Sequence, residues 1–240
     1  MSSVIRVENL SKSYNGFPAV RDVSLSVEKG TVFGLLGTNG AGKSTVMECI
    51  LGTNKPDSGQ ISVLDTDPRT GRKRLFERIG VQFQESGYPA AITAGELCEE
   101  HASLYRRPVD IHDLLGRFGL SGKTKTPVGE LSGGERQRLF IVLALLPGPD
   151  LVFLDELTTG LDVKARREVW RCLETLKAQG LTVFLTSHFM DEVETLCDRV
   201  CILKKGKIVF DGTVAQAVAA SPCETFEDTY LWFTEEEETR

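Results

Sequence analysis

Apolar and polar residues alternate from Ile5 to Leu10 and again from Val20 to Val27, the rhythm of strands with one buried face, and Asn15-Gly16 between them reads as a turn. Thr31 to Leu36 is almost wholly apolar, as in a strand covered on both faces, and runs into a glycine-rich loop. Ser44 to Leu51 then reads as a helix, Gln60 to Leu64 as a strand behind the turn Asp57-Ser58-Gly59, and Gly80 to Gln84 as the next central strand. From Thr93 to about Pro147 the pattern becomes helical. Thr93 and Glu96 have capping-box spacing, Val109 to Phe118 has helical periodicity, and a helix after Gly134 includes the apolar run Leu139 to Leu146. Strands return at Leu151 to Asp155, Thr182 to Thr186, Val200 to Lys204 and Lys207 to Asp211, with helices at Val163 to Ala178 and Met190 to Cys197. The expected class is α/β: a mostly parallel core sheet, an N-terminal antiparallel β part and a helical insertion. The lobes expected are a core of residues 1–92 and 148–220, a helical subdomain of about 93–147, and a tail of 221–240.

Charge narrows the partners. The seven acids and one base beyond residue 220 account for the whole formal charge of −6, so the body is balanced and carries no basic field for nucleic acid. The six cysteines are scattered without a Cys-x-x-Cys pair, the usage of free thiols in a reducing compartment. The N-terminus has no secretion-signal pattern, and the longest apolar run is far too short to span a bilayer. The expected location is the cytoplasm.

Gly37-Thr38-Asn39-Gly40-Ala41-Gly42-Lys43-Ser44-Thr45 lies between an apolar strand and a helix. Its glycines let backbone N–H groups converge on phosphate oxygens, and the helix adds the positive end of its dipole. Lys43 is placed for the outer phosphates and Ser44 for Mg²⁺. A second metal ligand is expected at the end of an apolar strand, where Asp155 stands. Glu156 follows it, placed to take a proton from attacking water.

With these residues in hand, the chain resembles the nucleotide-binding subunits of ATP-binding cassette (ABC) transporters over about residues 4 to 216. Leu131-Ser132-Gly133-Gly134-Glu135 looks like that family's signature motif, between the glycine loop and the Asp-Glu strand. The resemblance implies a P-loop NTPase of the ABC type that uses ATP and Mg²⁺. It implies that Ser132, Gly133 and Gly134, with Glu135 beside them, meet the γ-phosphate held by a second subunit. Tyr14 looks like the aromatic that stacks on adenine, and Gln84 like the glutamine that reaches Mg²⁺ or water. Asp162 in Gly160-Leu161-Asp162 resembles the residue that crosses the dimer interface, and His188 the histidine that contacts the γ-phosphate. Two positions depart from the pattern: Glu135 stands where glutamine is more usual, and Leu157 where proline commonly follows the acidic pair.

ATP hydrolysis between two such subunits is a clamp motion that must pull on something. The resemblance implies a homodimer beneath a separate transmembrane permease, peripheral on the inner face of the cell membrane, with the membrane met only through that permease. Residues 85–93 would receive it, with Tyr88, Pro89 and Ile92 offering apolar contact. Soluble members that act on ribosomes or DNA are the rival; they usually carry a second cassette with a basic linker, or long coiled coils, which are missing from this sequence. The intact Glu156 and His188 speak against a regulator that hardly hydrolyses. The stretches 39–42, 158–162 and 187–192 resemble drug-resistance and sodium-extrusion exporter ATPases, so export of a drug, peptide, lipid or ion is expected over import, and nothing in the chain touches the cargo. In the tail, Phe226, Tyr230 and Phe233 share one helix face, which predicts packing on the body, with docking to a partner as the alternative.

Overall fold

The structure is a computed structural model describing residues 2–82, 87–89 and 91–235. In chain order its elements are β1 (Ser3–Tyr14), β2 (Phe17–Glu28), β3 (Val32–Gly37), α1 (Lys43–Ile50), β4 (Ser58–Val63), α2 (Arg72–Leu75), β5 (Ile79–Gln82), α3 (Ala94–Ala102), α4 (Ile111–Arg117) and α5 (Gly133–Leu145). There follow β6 (Leu151–Asp155), α6 (Val163–Ala178), β7 (Thr182–Thr186), α7 (Met190–Leu196), β8 (Arg199–Lys204), β9 (Lys207–Gly212), α8 (Val214–Ala219) and α9 (Phe226–Thr234). The chain forms two compact units, residues 1–75 with 184–240, and residues 76–183, so the division falls within β7.

In the first unit, β1 lies between β2 and β4 in a three-stranded antiparallel sheet. Ile5, Val7 and Leu10 of β1 are buried, and their spacing is not a strict period of two. A bulge resolves this: Asn9 takes a left-handed φ of 50°, which turns Leu10 back to the buried face. The Asn9 side-chain amide donates to Asp22 Oδ1 at 2.8 Å and holds the bulge against the neighbouring strand. Asn15 and Gly16 both have positive φ, as a two-residue hairpin turn requires, and place Tyr14 directly opposite Phe17. The wholly buried β3 pairs in parallel with β8, which turns through Lys205-Gly206 into antiparallel β9.

The tail belongs to this unit. Phe226 is buried with Leu36, Met190, Val193 and Ile202, and Tyr230 and Phe233 pack on the same cluster. The apolar face read from the sequence therefore packs on the chain's own body, while Leu231 and Trp232 stay exposed on α9. Two short helices escape the hydrophobic pattern, α2, a single turn in a strongly basic stretch, and α8. Thr213 and Gln216 form a complete capping box at the start of α8.

The second unit contains the helical stretch together with β5 and β6, which run parallel from Ile79↔Leu151 to Gln82↔Leu154. All of Leu139 to Leu146 is buried, so this half of α5 is enclosed rather than amphipathic. Its approach to β5 is as close as backbones allow: a Cβ on Gly80 would lie 1.7 Å from the Ala144 carbonyl oxygen. α6, by contrast, buries a single stripe, Ala165, Val169 and Leu173, with polar and charged residues over much of the rest.

Of the cysteines, Cys49, Cys98 and Cys201 are buried and the other three half-buried, all as free thiols. Burial pushes the Cys49 thiol up to about 11 and the Cys98 thiol up to about 12, well away from reactive thiolate.

Candidate nucleotide-binding and hydrolysis residues

The glycine loop sits in the first unit, where β3 ends and α1 begins. Gly37 and Leu36 are buried at the strand end, Ala41 is buried, and Thr38, Asn39 and Gly40 are exposed. The Ala41 N–H donates to the Thr38 carbonyl at 3.0 Å, closing the loop on itself. Gly42 immediately precedes α1 with φ 105°, and no side chain caps this helix. The helices α3, α4, α5, α6, α8 and α9 each begin with a side chain accepting from the first turn. The positive end of α1 is therefore presented by backbone alone. The Lys43 ammonium donates to the carbonyls of Gly37 at 2.7 Å and Thr38 at 3.2 Å, which folds the side chain over the loop. A bound polyphosphate must compete with those two carbonyls for the ammonium.

Gly37 and Gly42 are demanded by what lies behind the loop, whereas around Gly40, among the described residues, there is open space. A Cβ on Gly42 would stand 2.6 Å from the Ala19 carbonyl oxygen, and one on Gly37 the same distance from that of Leu203. A Cβ on Gly206 of the β8–β9 turn would likewise stand 2.6 Å from the Ala19 oxygen; the Gly206 N–H donates to the Ala41 carbonyl and its own carbonyl accepts from the Arg21 N–H. Sequence reasoning missed Gly206 as a support of the loop. The contact joins residues far apart in sequence, so no local pattern announces it.

Tyr14, at the end of β1, is 43% exposed, a ring accessible to a ligand. His188 is exposed after β7 and its ring lies 4.2 Å from that of Phe189. Ser187 is buried, and its hydroxyl accepts from the Phe189 N–H at 3.0 Å, which shapes the turn into α7.

In the second unit, β6 carries four fully buried apolar residues to half-buried Asp155 and Glu156. Glu156 has a left-handed φ of 51°, uncommon for a residue with a side chain. The Thr159 hydroxyl lies 3.4 Å from Glu156 Oε2. Leu157 is completely buried and its carbonyl accepts from Gln137 Nε2 at 2.9 Å. The loop without the usual proline is thus held by packing and by a side chain of α5, a contact the sequence did not reveal. Asp162 accepts from the Ala165 N–H at 2.8 Å and caps α6.

Ser132 and Glu135 form a complete capping box on α5. The Ser132 hydroxyl accepts from the Glu135 N–H at 3.2 Å, and Glu135 Oε2 accepts from the Ser132 N–H at 2.9 Å. Lys123 pairs with the same carboxylate at 3.0 Å. These partners, the Ser132 N–H first, hold the Glu135 carboxyl below the usual carboxylate range. Gly133 and Gly134 follow. A Cβ on Gly134 would make only ordinary contacts, with Leu161 at 3.4 Å and Ala165 at 3.9 Å, and one on Gly133 would find Gly160 at 3.9 Å. Gln84 and Glu85 lie outside the described residues. In the following segment Tyr88 is half-buried with its ring 6.0 Å from that of Phe140, Ile92 is half-buried, and Pro89 is exposed.

A glycine loop between a buried strand and an uncapped helix, with parallel strands and an acidic strand end, defines the class: an α/β P-loop nucleotide-binding fold. The ABC transporter family matches residues 20–159, more than half of the sequence, and the chain belongs to that family, as an ATPase of the ATP-binding type. One relative is the Nod factor export ATP-binding protein I of Sinorhizobium fredii (strain NBRC 101917 / NGR234), 42% identical over 214 residues, 87% of this chain. The match spans 62% of that protein's length. The structure described as an ATP binding subunit of an ABC transporter superposes with a TM-score of 0.88 at 26% identity, covering 97% of this chain and all of its own. A dimeric ATP-binding cassette in a post-hydrolysis state bound to ADP and Pi gives a TM-score of 0.77 at 25% identity, over 87% of this chain and 98% of its own. Subunits of this family work with a membrane permease. No helix among the described residues is long and apolar enough to cross a membrane.

Proposed function

We propose that this chain binds and hydrolyses ATP as the motor subunit of an exporter, closing against a second copy to drive a separate permease at the cytoplasmic face of the cell membrane. The observation that carries the ATP-binding reading is the start of α1: a glycine loop leading into a helix with no side-chain cap, with Lys43 folded over it. In this reading the N–H groups of residues 37–45 and the Lys43 ammonium take the phosphates, and Tyr14 stacks on the base. Glu156 accepts the proton of the attacking water, His188 contacts the γ-phosphate, and Gln84 orients the water or the metal. Ser44 and Asp155 each carry a hard oxygen of the kind Mg²⁺ takes, and Gln84 supplies a third. Bound Mg²⁺ would neutralise charge on the phosphate oxygens.

The second copy enters through the signature residues. Among the described residues nothing comes close enough to Gly133 or Gly134 to exclude a side chain. That leaves room at Gly133 and Gly134 for a phosphate held by a partner subunit, which supports this reading. Ser132, Gly133, Gly134 and Glu135 address that phosphate, while Asp162 reaches the partner from the start of α6. The export assignment of the 42% identical relative supports the direction. Pro89, exposed beside the half-buried Tyr88 and Ile92, supports permease docking in the 85–93 segment. The test is recovery of tagged Glu156→Gln protein from membranes with and without ATP. Co-purification of a polytopic membrane protein is the expected result; ribosomes or DNA-repair factors with nothing from the membrane would overturn it.

A further inference from the structure

Tyr14 does not stand alone at the rim of the first unit. Asn54, four residues beyond the end of α1, donates its side-chain amide to the Tyr14 hydroxyl at 2.5 Å and to Glu48 Oε2 at 3.0 Å. Glu48 lies on α1 itself, and its carbonyl accepts from the N–H groups of Thr53 and Asn54 at 3.0 and 3.2 Å. The amide is therefore fixed at both ends, to the ring and to the helix that starts at the phosphate loop. Lys12 stands over one face of the ring, 5.5 Å from its centroid. That ammonium is held by the Lys55 carbonyl at 2.8 Å and by Asp57 at 3.3 Å, and Tyr14 itself is 43% exposed.

We propose that Asn54 is a positioning residue for nucleobase recognition: by tying the Tyr14 hydroxyl to α1, it sets the stacking ring at a fixed distance from the phosphate loop. This rests on the reading of Tyr14 as the base platform. An exposed tyrosine beside a hairpin turn must lose side-chain freedom when a base stacks on it, and a tether already made lowers that cost. The fixed end of the tether is the second turn of the helix whose first residue is Lys43, so α1 acts as a ruler between the triphosphate and the base.

The experiment measures affinities for ATP and for inorganic tripolyphosphate, which has no base, with Tyr14→Phe, Asn54→Ala, the double variant and Tyr14→Ala. Tyr14→Phe keeps the ring and removes only the tether. Each tether variant is expected to weaken ATP binding by about two- to tenfold, the worth of one hydrogen bond. The double variant should be no weaker than the weaker single, KM for ATP should rise with kcat held, and tripolyphosphate affinity should not move. Equal weakening of tripolyphosphate, multiplicative losses in the double variant, or unchanged ATP affinity in Asn54→Ala while Tyr14→Ala loses it would each overturn the proposal. If Tyr14→Ala itself leaves ATP affinity unchanged, the base-platform reading fails, and the role of Asn54 fails with it.

Discussion

Two helices in this chain begin at glycines assigned to phosphate, and they begin differently. α1 starts behind Gly42 with no side-chain cap, and two of its loop glycines, Gly37 and Gly42, are required from within: carbonyl oxygens of Leu203 and Ala19 would crowd their Cβ atoms. α5 starts behind a finished capping box, and among the described residues its glycines face no such demand. The first site is made by this chain's own backbone and offers positive charge to an anion. The second already satisfies two backbone donors with its own side chains and carries a carboxylate beside Lys123, so an anion gains less there unless it is delivered in position. In the proposed function the same helix dipole would serve a resident phosphate at α1 and a partner's phosphate at α5.

The comparison breaks most clearly at the extremes. Glu156→Gln should lower hydrolysis by about 10²- to 10⁴-fold, the usual worth of a general base, while ATP binding persists; a turnover assay beside a binding assay checks it. Gly42→Ala should abolish ATP binding and lower the melting temperature, because its methyl group overlaps a backbone carbonyl. Gly134→Ala is its mirror image. Melting temperature and ATP affinity of the isolated chain should stay near wild type, with hydrolysis and ATP-dependent dimerisation lost. If Gly134→Ala unfolds the chain instead, the two helix starts do not differ as argued.

Smaller effects sharpen the same contrast. Ser132→Ala removes a helix cap and should cost about 1 kcal/mol of stability, whereas α1 has no such cap to lose. Glu135→Gln should change stability in a pH-dependent way. The carboxyl is held below its usual range in the folded chain, so its stabilisation is present above about pH 4 and disappears as pH falls through the folded value. Wild type and variant should therefore differ in melting temperature near neutrality and converge in acid.

Local chemistry in the sequence was enough for some of this. The Asn15-Gly16 turn follows from residues that tolerate positive φ, and α6 from an apolar stripe over residues 163–178. The glycine loop reads directly as a phosphate site because its neighbours in sequence, strand before and helix after, are the structure that matters. Contacts between distant residues did not announce themselves: Gly206 behind the loop, Gln137 holding the Leu157 carbonyl, and Asn54 on Tyr14. Strand lengths were also underread, β1 running from Ser3 to Tyr14 because a bulge at Asn9 carries it past the break in alternation. α8 is not legible in the hydrophobic pattern although Thr213 and Gln216 mark its start, since six residues give too little periodicity.

The central claim is that α5 completes a phosphate site on another copy of the chain. Sedimentation of Glu156→Gln protein with and without ATP and Mg²⁺ tests it most directly. The expected result is a monomer without nucleotide, a dimer with it, and loss of that dimer when Gly134→Ala is added. A protein that binds ATP and still sediments as a monomer would contradict it.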